Sequence, residues 1–391
     1  MKTFDLDHIN KFILRKQHLS NDSKIDNITQ IIEDIFGLHS TGLPTSYLSL
    51  LARTNNFEKT DLERELYTIK SLGRIRGMRR TLFIVTRNLI PIVHTATFKL
   101  IEKFFQKFLE VRGVSLKEYQ VISSQILEIL KGVELSASEI RKKLNSNLDI
   151  PAIIQVMCDY GLLLRGRPIK DWKDRRNRYA LFSEYFPNID LLEFTEEQAI
   201  QKLIKKYIKA YGPVNENDIS WWSGLTVSTM RKVLNNIEPQ IERIMISGLK
   251  GEFMIFEDDM EDLKNSENPQ EPTISFLPEL DPYPMGYKNR DKYIDRNNYN
   301  NVFDKSGNIS ATILLNGMVI GVWDTENKKI PVIKIFLFQP LGGELRNQLY
   351  EKACDVGKFY FDKEVTIKKC KSMIPLTERT AGGFMSPLKN C

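Results

Sequence analysis

The stretch TDLERELYTIKSLGRIRGMRRTLFIV, residues 60–85, predicts a helix followed by a β-hairpin. Thr60 and Glu63 have the spacing of a capping box, which indicates the first turn of a helix. Apolar residues then recur at spacings of four and three, as on one buried helix face. Gly73 is a natural stop for that helix, and TLFIV (81–85) is typical of a β-strand. The tip of the predicted hairpin is basic.

The same order of elements occurs again at residues 135–182 and 195–256, with little identity between the residues. In the first of these repeats, Ser136 and Glu139 form another capping box. A helix, a turn, a second helix and a two-stranded β-wing make up a winged helix, whose second helix usually enters a major groove of DNA. The pattern favours three winged-helix units in tandem. A run of helical hairpins with unrelated β-ribbons is the alternative.

The pattern changes after residue 256. Residues 257–272 are acidic and then polar with two prolines, which indicates a linker or an exposed loop. Further on, Asn316 and Gly317 form the pair favoured in a type I′ hairpin turn. We predict an α+β protein with three tandem winged-helix units and a C-terminal β-rich α/β domain built on an antiparallel sheet. The predicted boundaries are 1–112, 113–190, 191–268 and 269–391.

The composition argues against several classes of protein. No apolar run reaches the ~18 residues that span a bilayer, and the first residues lack the basic start and apolar core of a signal peptide. We therefore expect a cytoplasmic protein without a membrane partner. Cys158, Cys354, Cys370 and Cys391 are scattered, which argues against a disulfide framework and a zinc site. The histidines lack metal-ligand spacing and the glycine-rich nucleotide motifs are missing, so we expect no metal and no organic cofactor.

Positive charge is concentrated in two short segments of a chain whose net charge is +6. Residues 70–80 hold five basic residues and no acidic one, and residues 165–178 hold seven basic and two acidic residues. Both segments fall at predicted wing tips, which favours contacts with nucleic acid over an ordinary solvated face. The predicted DNA-binding residues are Arg74, Arg76, Arg79, Arg80, Lys173, Arg175, Arg176, Arg178 and Trp172, the last by stacking on a sugar or base.

Two further segments carry polar residues whose role the sequence leaves open. In IFGLHSTGLPTSYLSL (35–50), His39 and Thr41 lie on a short connection between two apolar helices. Either Thr41 or Ser46 caps the second helix and His39 is a surface residue, or the connection holds a water molecule for chemistry.

The segment LPELDPYPMGYKNRDKYIDR (277–296) contains Asp281, Tyr287 and Arg290. One interpretation is a structural loop in which Asp281 pairs with Arg290. The other is a loop that faces a substrate, because loops with such specific polar content often carry function.

These segments resemble, in order, the motifs of the bacterial winged-helix DNA glycosylases that excise bulky alkylated purines and unhook interstrand crosslinks. The resemblance spans nearly the whole chain. It implies three tandem winged-helix units and a C-terminal β-rich domain that form a concave DNA-binding surface. The matching stretches are RKQHL (15–19), GLHSTGLPTSYLSLLAR (37–53), MRRTLFIV (78–85), YIKAYGPVNENDISWWSGL (207–225), LPELDPYPMGYKNRD (277–291), LLNGMVIGVWD (314–324) and ERTAGGF (378–384).

The resemblance also implies a monofunctional DNA glycosylase that acts on alkylated purines or crosslinked bases in double-stranded DNA, without an obligate protein partner. The family's catalysis is assigned to two polar side chains at positions i and i+2, a glutamine followed by glutamine or aspartate. Here those positions hold His39 and Thr41, a pair that could still position water. Arg80 replaces a family glycine and Phe83 replaces a family histidine. The alternative is a DNA-binding protein without catalysis, such as a damage binder or a regulator.

Overall fold

The computed structural model describes residues 1–266, 272–378 and 387–391 and shows a mixed α+β protein, which confirms the fold class at that level. The strands form small separate sheets, with helices between them in sequence. Within the described residues, no helix is long and apolar enough to cross a lipid bilayer. The segment ERTAGGF lies outside the described residues except for Glu378.

The N-terminal part of the chain is helical and ends in the first hairpin. Its elements are β1 (Lys2–Phe4), α1 (Leu6–Lys16), α2 (Ile28–Asp34), β2 (Leu38–His39), α3 (Leu43–Leu51), α4 (Lys59–Tyr67), β3 (Leu72–Arg76) and β4 (Leu82–Thr86). The short strand β2 joins the hairpin, so that the sheet has the order β2-β4-β3 with antiparallel neighbours. This sheet places residues 38 and 39 directly beside the hairpin.

The helix before the first hairpin was predicted correctly, but its cap was not. The predicted capping residues were Thr60 and Glu63. In the structure Glu58 is the N-cap and forms the capping box with Asp61. The helix begins slightly earlier than expected because this acidic pair satisfies the first backbone amides.

Gly73 does not end that helix. The helix ends at Tyr67, and Lys70 already has a left-handed conformation with a φ of 60°. Gly73 lies inside β3, where a Cβ would be 2.6 Å from the side chain of Ile90 and 3.2 Å from that of Phe186. A glycine is needed here because the strand packs closely against these two side chains.

The second part of the chain repeats this arrangement. Its elements are α5 (Ile90–Glu102), α6 (Phe105–Val111), α7 (Leu116–Ile129), β5 (Leu135–Ser136), α8 (Ala137–Leu144), α9 (Ile150–Asp159), β6 (Leu163–Pro168), β7 (Asn177–Leu181) and α10 (Phe182–Tyr185). A short strand again joins the second strand of a hairpin, giving the order β5-β7-β6. The predicted capping box is confirmed, because the Ser136 amide donates to Glu139 at 2.7 Å and the Glu139 amide donates to the Ser136 hydroxyl at 3.3 Å.

The third part has the predicted helices and hairpin, but its third strand comes from the N-terminus. Its elements are α11 (Glu196–Tyr211), α12 (Glu216–Ser223), α13 (Val227–Ile237), β8 (Ile241–Ile246), β9 (Phe253–Phe256) and α14 (Met260–Lys264). Strand β1 runs parallel to β8 at the edge of this sheet. The predicted linker is partly wrong, because Met260 and Leu263 are buried and Asp259 pairs with Lys16 of α1 at 2.8 Å.

The C-terminal part contains a five-stranded sheet with the order β10-β11-β12-β13-β14. Its elements are β10 (Ile274–Leu277), α15 (Pro282–Met285), α16 (Tyr299–Val302), β11 (Thr312–Leu315), β12 (Met318–Glu326), β13 (Val332–Leu337), α17 (Gly343–Phe361), β14 (Thr366–Lys369), β15 (Ser372–Met373) and β16 (Leu388–Lys389). The predicted hairpin turn has φ values of 50° at Asn316 and 84° at Gly317, as a type I′ turn requires. The sheet is antiparallel as predicted except for β13 and β14, which are parallel because α17 connects them.

Cys370 and Cys391 form a disulfide, contrary to the expectation from their spacing. The two cysteines meet because β15 and β16 pair, which returns the end of the chain to the residue that follows β14. Cys158 and Cys354 are free thiols.

The three parts and the C-terminal sheet share one large apolar cluster. The first hairpin packs on α5 and on α12, and β3 also packs against β6. The rings of Phe36 and Trp222 lie 5.4 Å apart across the boundary between the first and third parts. The first hairpin therefore lies where these parts meet, directly beside the connection that carries His39.

Candidate active site

The connection between β2 and α3 is held by hydrogen bonds on both sides. His39 pairs with Phe83 of β4, and the Ser40 amide donates to the Leu82 carbonyl at 2.8 Å. On the other side, the Ser46 hydroxyl donates to the His39 carbonyl at 2.7 Å. The backbone that carries His39 is thus positioned by a sheet and a helix, which suits a residue with a precise chemical task.

The polar residues of this connection do not cap the next helix. The N-cap of α3 is Gly42, without a side-chain cap bond. Ser46 bonds to the preceding strand, and Thr41 is exposed before the helix begins. His39 is only 6% exposed, so the interpretation as a capped helix with a surface histidine is wrong.

The imidazole of His39 is neutral and packs on an aromatic ring. Its centroid lies 4.5 Å from that of Phe83. Burial and then the positive charge of Arg79 lower the pKa of His39 to about 4, against an opposing effect of Asp281. Within the described part of the chain, its buried Nδ1 has no hydrogen-bond partner. At pH 7 this side chain can accept a proton from water.

Asp281 does not face a substrate and does not pair with Arg290. Its carboxylate is fully buried and accepts from both terminal nitrogens of Arg53 at 2.8 Å. The Ser49 hydroxyl donates to the same carboxylate at 2.7 Å, and the Tyr283 amide donates at 3.0 Å. A buried carboxylate needs such partners. The ion pair joins α3, directly after the His39 connection, to the loop that follows β10.

Tyr287 is likewise a core residue and not a substrate-facing one. It is fully buried, and its hydroxyl donates to the carbonyl of Tyr211 at 2.9 Å. Its ring packs against those of Tyr211, Tyr283 and Tyr293. The tyrosines fill the space between α11 and the loop that follows β10, each with its hydroxyl satisfied by a carbonyl.

Two arginines of the first hairpin are engaged inside the protein. Arg74 is buried and donates to the Ser40 carbonyl at 2.6 and 3.1 Å and to Asn177 at 2.8 Å. Its placement at an exposed wing tip is therefore wrong, because all three of its nitrogens have partners inside the protein: two at Ser40 of the first part and one at Asn177 of the second part. Arg76 forms a 2.7 Å ion pair with Asp159, which also belongs to the second part.

Trp172 does not stack on nucleic acid, because it is 6% exposed in the core. Its ring lies 4.9 Å from that of Tyr47 and 5.5 Å from that of Tyr360 in α17. Lys173 is half-buried, with its ammonium 4.3 Å from the Tyr360 ring. The second basic segment is therefore anchored to α17 through these aromatic side chains.

The remaining basic residues of the second segment lie at the surface. Arg176 is exposed and pairs with Asp174 at 2.8 Å, and Arg178 is half-buried and lies 3.4 Å from Glu139. Arg175 is exposed. Neighbouring acidic side chains thus neutralise part of the positive charge of residues 165–178.

Arg79 and Arg80 form the two central residues of the tight turn between β3 and β4. Both have left-handed conformations, with φ values of 51° and 60°. Two left-handed central residues are typical of a type I′ turn, in which Asn-Gly is the favoured pair. For residues other than glycine the left-handed conformation costs roughly 1–2 kcal/mol each. Two consecutive arginines in such a turn indicate that their side chains have a function that outweighs the strain.

Each of these two arginines stacks on an aromatic ring from another element. The guanidinium carbon of Arg79 lies 4.1 Å from the centre of Trp221 in α12, and that of Arg80 lies 3.9 Å from the centre of Phe104. A groove of ≈ 240 Å³ beside the turn is lined by Arg79, Arg80 and Phe104, among others.

Arg290 is the third arginine near this turn. Its guanidinium lies 3.6 Å from the centre of Phe303 and donates to the Gly307 carbonyl at 3.3 Å. Sequence reasoning missed Trp221 and Phe303. The adjacent tryptophans in SWWSGL were an available signal for Trp221, because only one of them, Trp222, is buried in the core.

Within the described residues, no group of three or more His, Cys, Asp or Glu side chains is arranged to hold a metal ion.

Comparison with known proteins identifies the family. The family model "DNA glycosylase AlkZ-like" matches residues 32–359. No curated protein matches the chain. Among solved structures, Streptomyces sahachiroi DNA glycosylase AlkZ superposes with a TM-score of 0.75 and 16% sequence identity, over 94% of this chain and 100% of that chain. This chain belongs to the family of AlkZ-like DNA glycosylases.

Proposed function

We propose that this DNA glycosylase hydrolyses the N-glycosidic bond of alkylated purines or crosslinked bases in duplex DNA, and that His39 and Thr41 hold the hydrolytic water. The observation that carries the proposal is the buried, neutral imidazole of His39, whose Nδ1 has no partner within the described residues. It lies on a connection that a sheet and a helix hold in place.

The chemistry required is modest. An alkylated purine is cationic and already a good leaving group, so the enzyme has to place water at the anomeric carbon and stabilise a cationic sugar. A positioned general base contributes typically 10²–10⁴-fold to such a step. In this mechanism His39 accepts the proton of the water, and the hydroxyl of Thr41, which can donate and accept, orients it.

DNA binding is assigned to the guanidiniums that remain near this connection, those of Arg79, Arg80 and Arg290. We also infer that the three helix–hairpin parts are winged helices, followed by a separate C-terminal domain, with the boundaries predicted above. The recurrence of the sheet order β2-β4-β3 as β5-β7-β6 supports this division. Chromosomal DNA as substrate would place the reaction in the cytoplasm, at the nucleoid.

The experiment is excision by the wild-type protein from duplexes that carry one 7-methylguanine, one bulky N7-alkylated guanine or one interstrand crosslink. Alkali reveals the abasic sites. Strand breaks at the modified position in at least one duplex are expected. Binding to all three duplexes without any breaks would contradict the proposal and favour a damage-binding protein on a glycosylase fold.

A further inference from the structure

Two arginines from distant parts of the sequence converge on one tryptophan. Arg79 stacks on Trp221 at 4.1 Å. Gly307, whose carbonyl accepts from Arg290, also lies against Trp221, because a Cβ at Gly307 would be 3.7 Å from the indole and 2.7 Å from Nη2 of Arg290. Each guanidinium carbon lies over an aromatic ring, that of Arg79 over Trp221 and that of Arg290 over Phe303. Arg290 uses one terminal nitrogen for the Gly307 carbonyl, which leaves its other terminal nitrogen to donate to a ligand.

Neither guanidinium is neutralised by a carboxylate. Within residues 1–266, 272–378 and 387–391, no acidic side chain lies at ion-pair distance from Arg79 or Arg290. The nearby acid is Asp304, but its carboxylate accepts from the Ser306 amide at 2.8 Å and from the Asn308 amide and side chain at 2.8 and 2.9 Å. It is therefore engaged within its own loop.

The two positive charges are close enough to repel each other. Burial and then the charge of Arg290 lower the pKa of Arg79, while Asp304 opposes them. Other arginines with similar surroundings have acid partners, for example Arg53 with Asp281 and Arg76 with Asp159. A pair of half-buried arginines without such a partner gains most from an anion that both can reach.

The position of the pair relative to His39 suggests which anion this is. Arg79 lies in the turn that follows β3, and the next strand, β4, pairs directly with His39. The charge of Arg79 also acts on the imidazole, because it lowers the pKa of His39 after burial does. An anion held by Arg79 and Arg290 would thus lie next to the reacting nucleotide.

We propose that Arg79 and Arg290 together bind one phosphate group of the DNA strand that carries the damaged nucleotide. The identity of the polymer rests on the proposed function. The site itself rests on the two guanidiniums, which lie over aromatic rings and have no carboxylate partner among the described residues, because a phosphate is the anion that arginine binds with charge-assisted hydrogen bonds. By binding a phosphate at a set distance from His39, the pair determines which nucleotide enters the site.

The experiment measures binding, not excision, so that it can succeed or fail independently of the glycosylase activity. The probe is a duplex with a central tetrahydrofuran abasic analogue, in which each phosphate within four nucleotides of the analogue is replaced in turn by an uncharged methylphosphonate. Dissociation constants are measured for the wild type, Arg79→Gln, Arg290→Gln and the control Arg243→Gln, whose guanidinium is already paired with Glu238 and Glu252.

With the native duplex, Arg79→Gln and Arg290→Gln are each expected to weaken binding about tenfold or more, as for the loss of a charged hydrogen bond. At one phosphate position the methylphosphonate weakens wild-type binding by at least this factor and weakens each variant less, because each variant keeps only one arginine at that phosphate. Arg243→Gln behaves as the wild type throughout. The proposal is wrong if, at every phosphate position, the factor by which a substitution weakens binding is the same for the native and the methylphosphonate duplex. Thermal unfolding confirms that each variant is folded, and Arg79→Lys, which keeps the charge without the fork, is expected to bind with intermediate affinity.

Discussion

The imidazole of His39 lies directly across the β2–β4 ladder from the phenyl ring of Phe83, with ring centroids 4.5 Å apart. The resemblance described above implies a histidine at position 83 and a glutamine at position 39 in the family. Side chains directly opposite in such a ladder have Cβ atoms about 4.5–5.5 Å apart. On that resemblance, this chain carries an imidazole on the strand next to the one that carries the family's histidine.

Moving the imidazole from position 39 to position 83 tests this relationship. His39→Ala alone should slow single-turnover excision about 100-fold, because it removes the base. The double variant His39→Ala, Phe83→His should recover most of the lost rate, since it returns the imidazole from the other strand. A double variant as slow as His39→Ala would show that the two positions are not interchangeable.

Stability should depend on pH through His39. The folded protein takes up its proton near pH 4 and the unfolded chain near 6.5, so the unfolded state binds more protons between these values and stability falls as the pH is lowered. The free energy of unfolding should drop by about 2 kcal/mol for this group between roughly pH 7.5 and pH 5. Urea unfolding at both pH values measures the drop.

The variant His39→Gln should lack this part of the pH dependence. His94 is a suitable control, because burial also lowers its pKa to about 4 while it lies in α5, away from the connection. His94→Gln should remove a separate contribution of the same sign. An unchanged pH dependence in His39→Gln would contradict a neutral, buried imidazole.

The buried Arg53–Asp281 pair should be structural. Asp281→Ala leaves the fully buried Arg53 without its partner and should lower the free energy of unfolding by about 3–5 kcal/mol. A matched exposed pair is Lys131 with Glu128, and Glu128→Ala should cost at most about 1 kcal/mol. Loss of DNA affinity in Asp281→Ala with unchanged stability would instead support the original interpretation of a substrate-facing loop.

The arginines in the turn at the tip of the first hairpin should lower the stability of the protein, because their left-handed backbone is strained, and should increase its affinity for DNA. Arg80→Gly removes a left-handed strain of ~1–2 kcal/mol and loses a cation–π contact worth ~0.5–1 kcal/mol. A small net stabilisation is therefore expected in urea unfolding. A clear destabilisation would mean that the contact with Phe104 matters more than the backbone strain.

Removing the charge of Arg80 should reduce the salt dependence of DNA binding. Each phosphate contact contributes about 0.9 to the slope of log affinity against log salt. Arg80→Gln should lower that slope by about 0.9, the contribution of one phosphate contact. Arg76→Gln, which breaks the ion pair with Asp159, should lower stability and leave the slope unchanged. If Arg76→Gln lowered the slope as much as Arg80→Gln does, Arg76 would have to be counted among the residues that contact DNA, as the sequence predicted.

Local sequence patterns predicted the elements well. The Ser136–Glu139 capping box, the Asn316–Gly317 turn and the repeated order of helix and hairpin depend on residues a few positions apart, and the structure has all of them. Such patterns report short-range backbone preferences. They do not report which side chains meet after folding.

The site predictions were wrong where the deciding partner is distant in sequence. Arg53 and Asp281 are 228 residues apart, and no pattern around either residue indicates the other. Trp172 belongs to a basic segment but packs on Tyr360 of α17. Arg74 is likewise claimed by the distant Asn177, so a run of positive charge overstated the number of guanidiniums available to DNA.

The most direct measurement is single-turnover excision of 7-methylguanine from a duplex by the wild type, His39→Ala and the control His94→Ala, with duplex affinity measured in parallel. We predict that His39→Ala binds DNA as the wild type does but excises at least about 100-fold more slowly, whereas His94→Ala excises at the wild-type rate. Excision by His39→Ala at the wild-type rate would contradict the assignment of His39 as the residue that activates water.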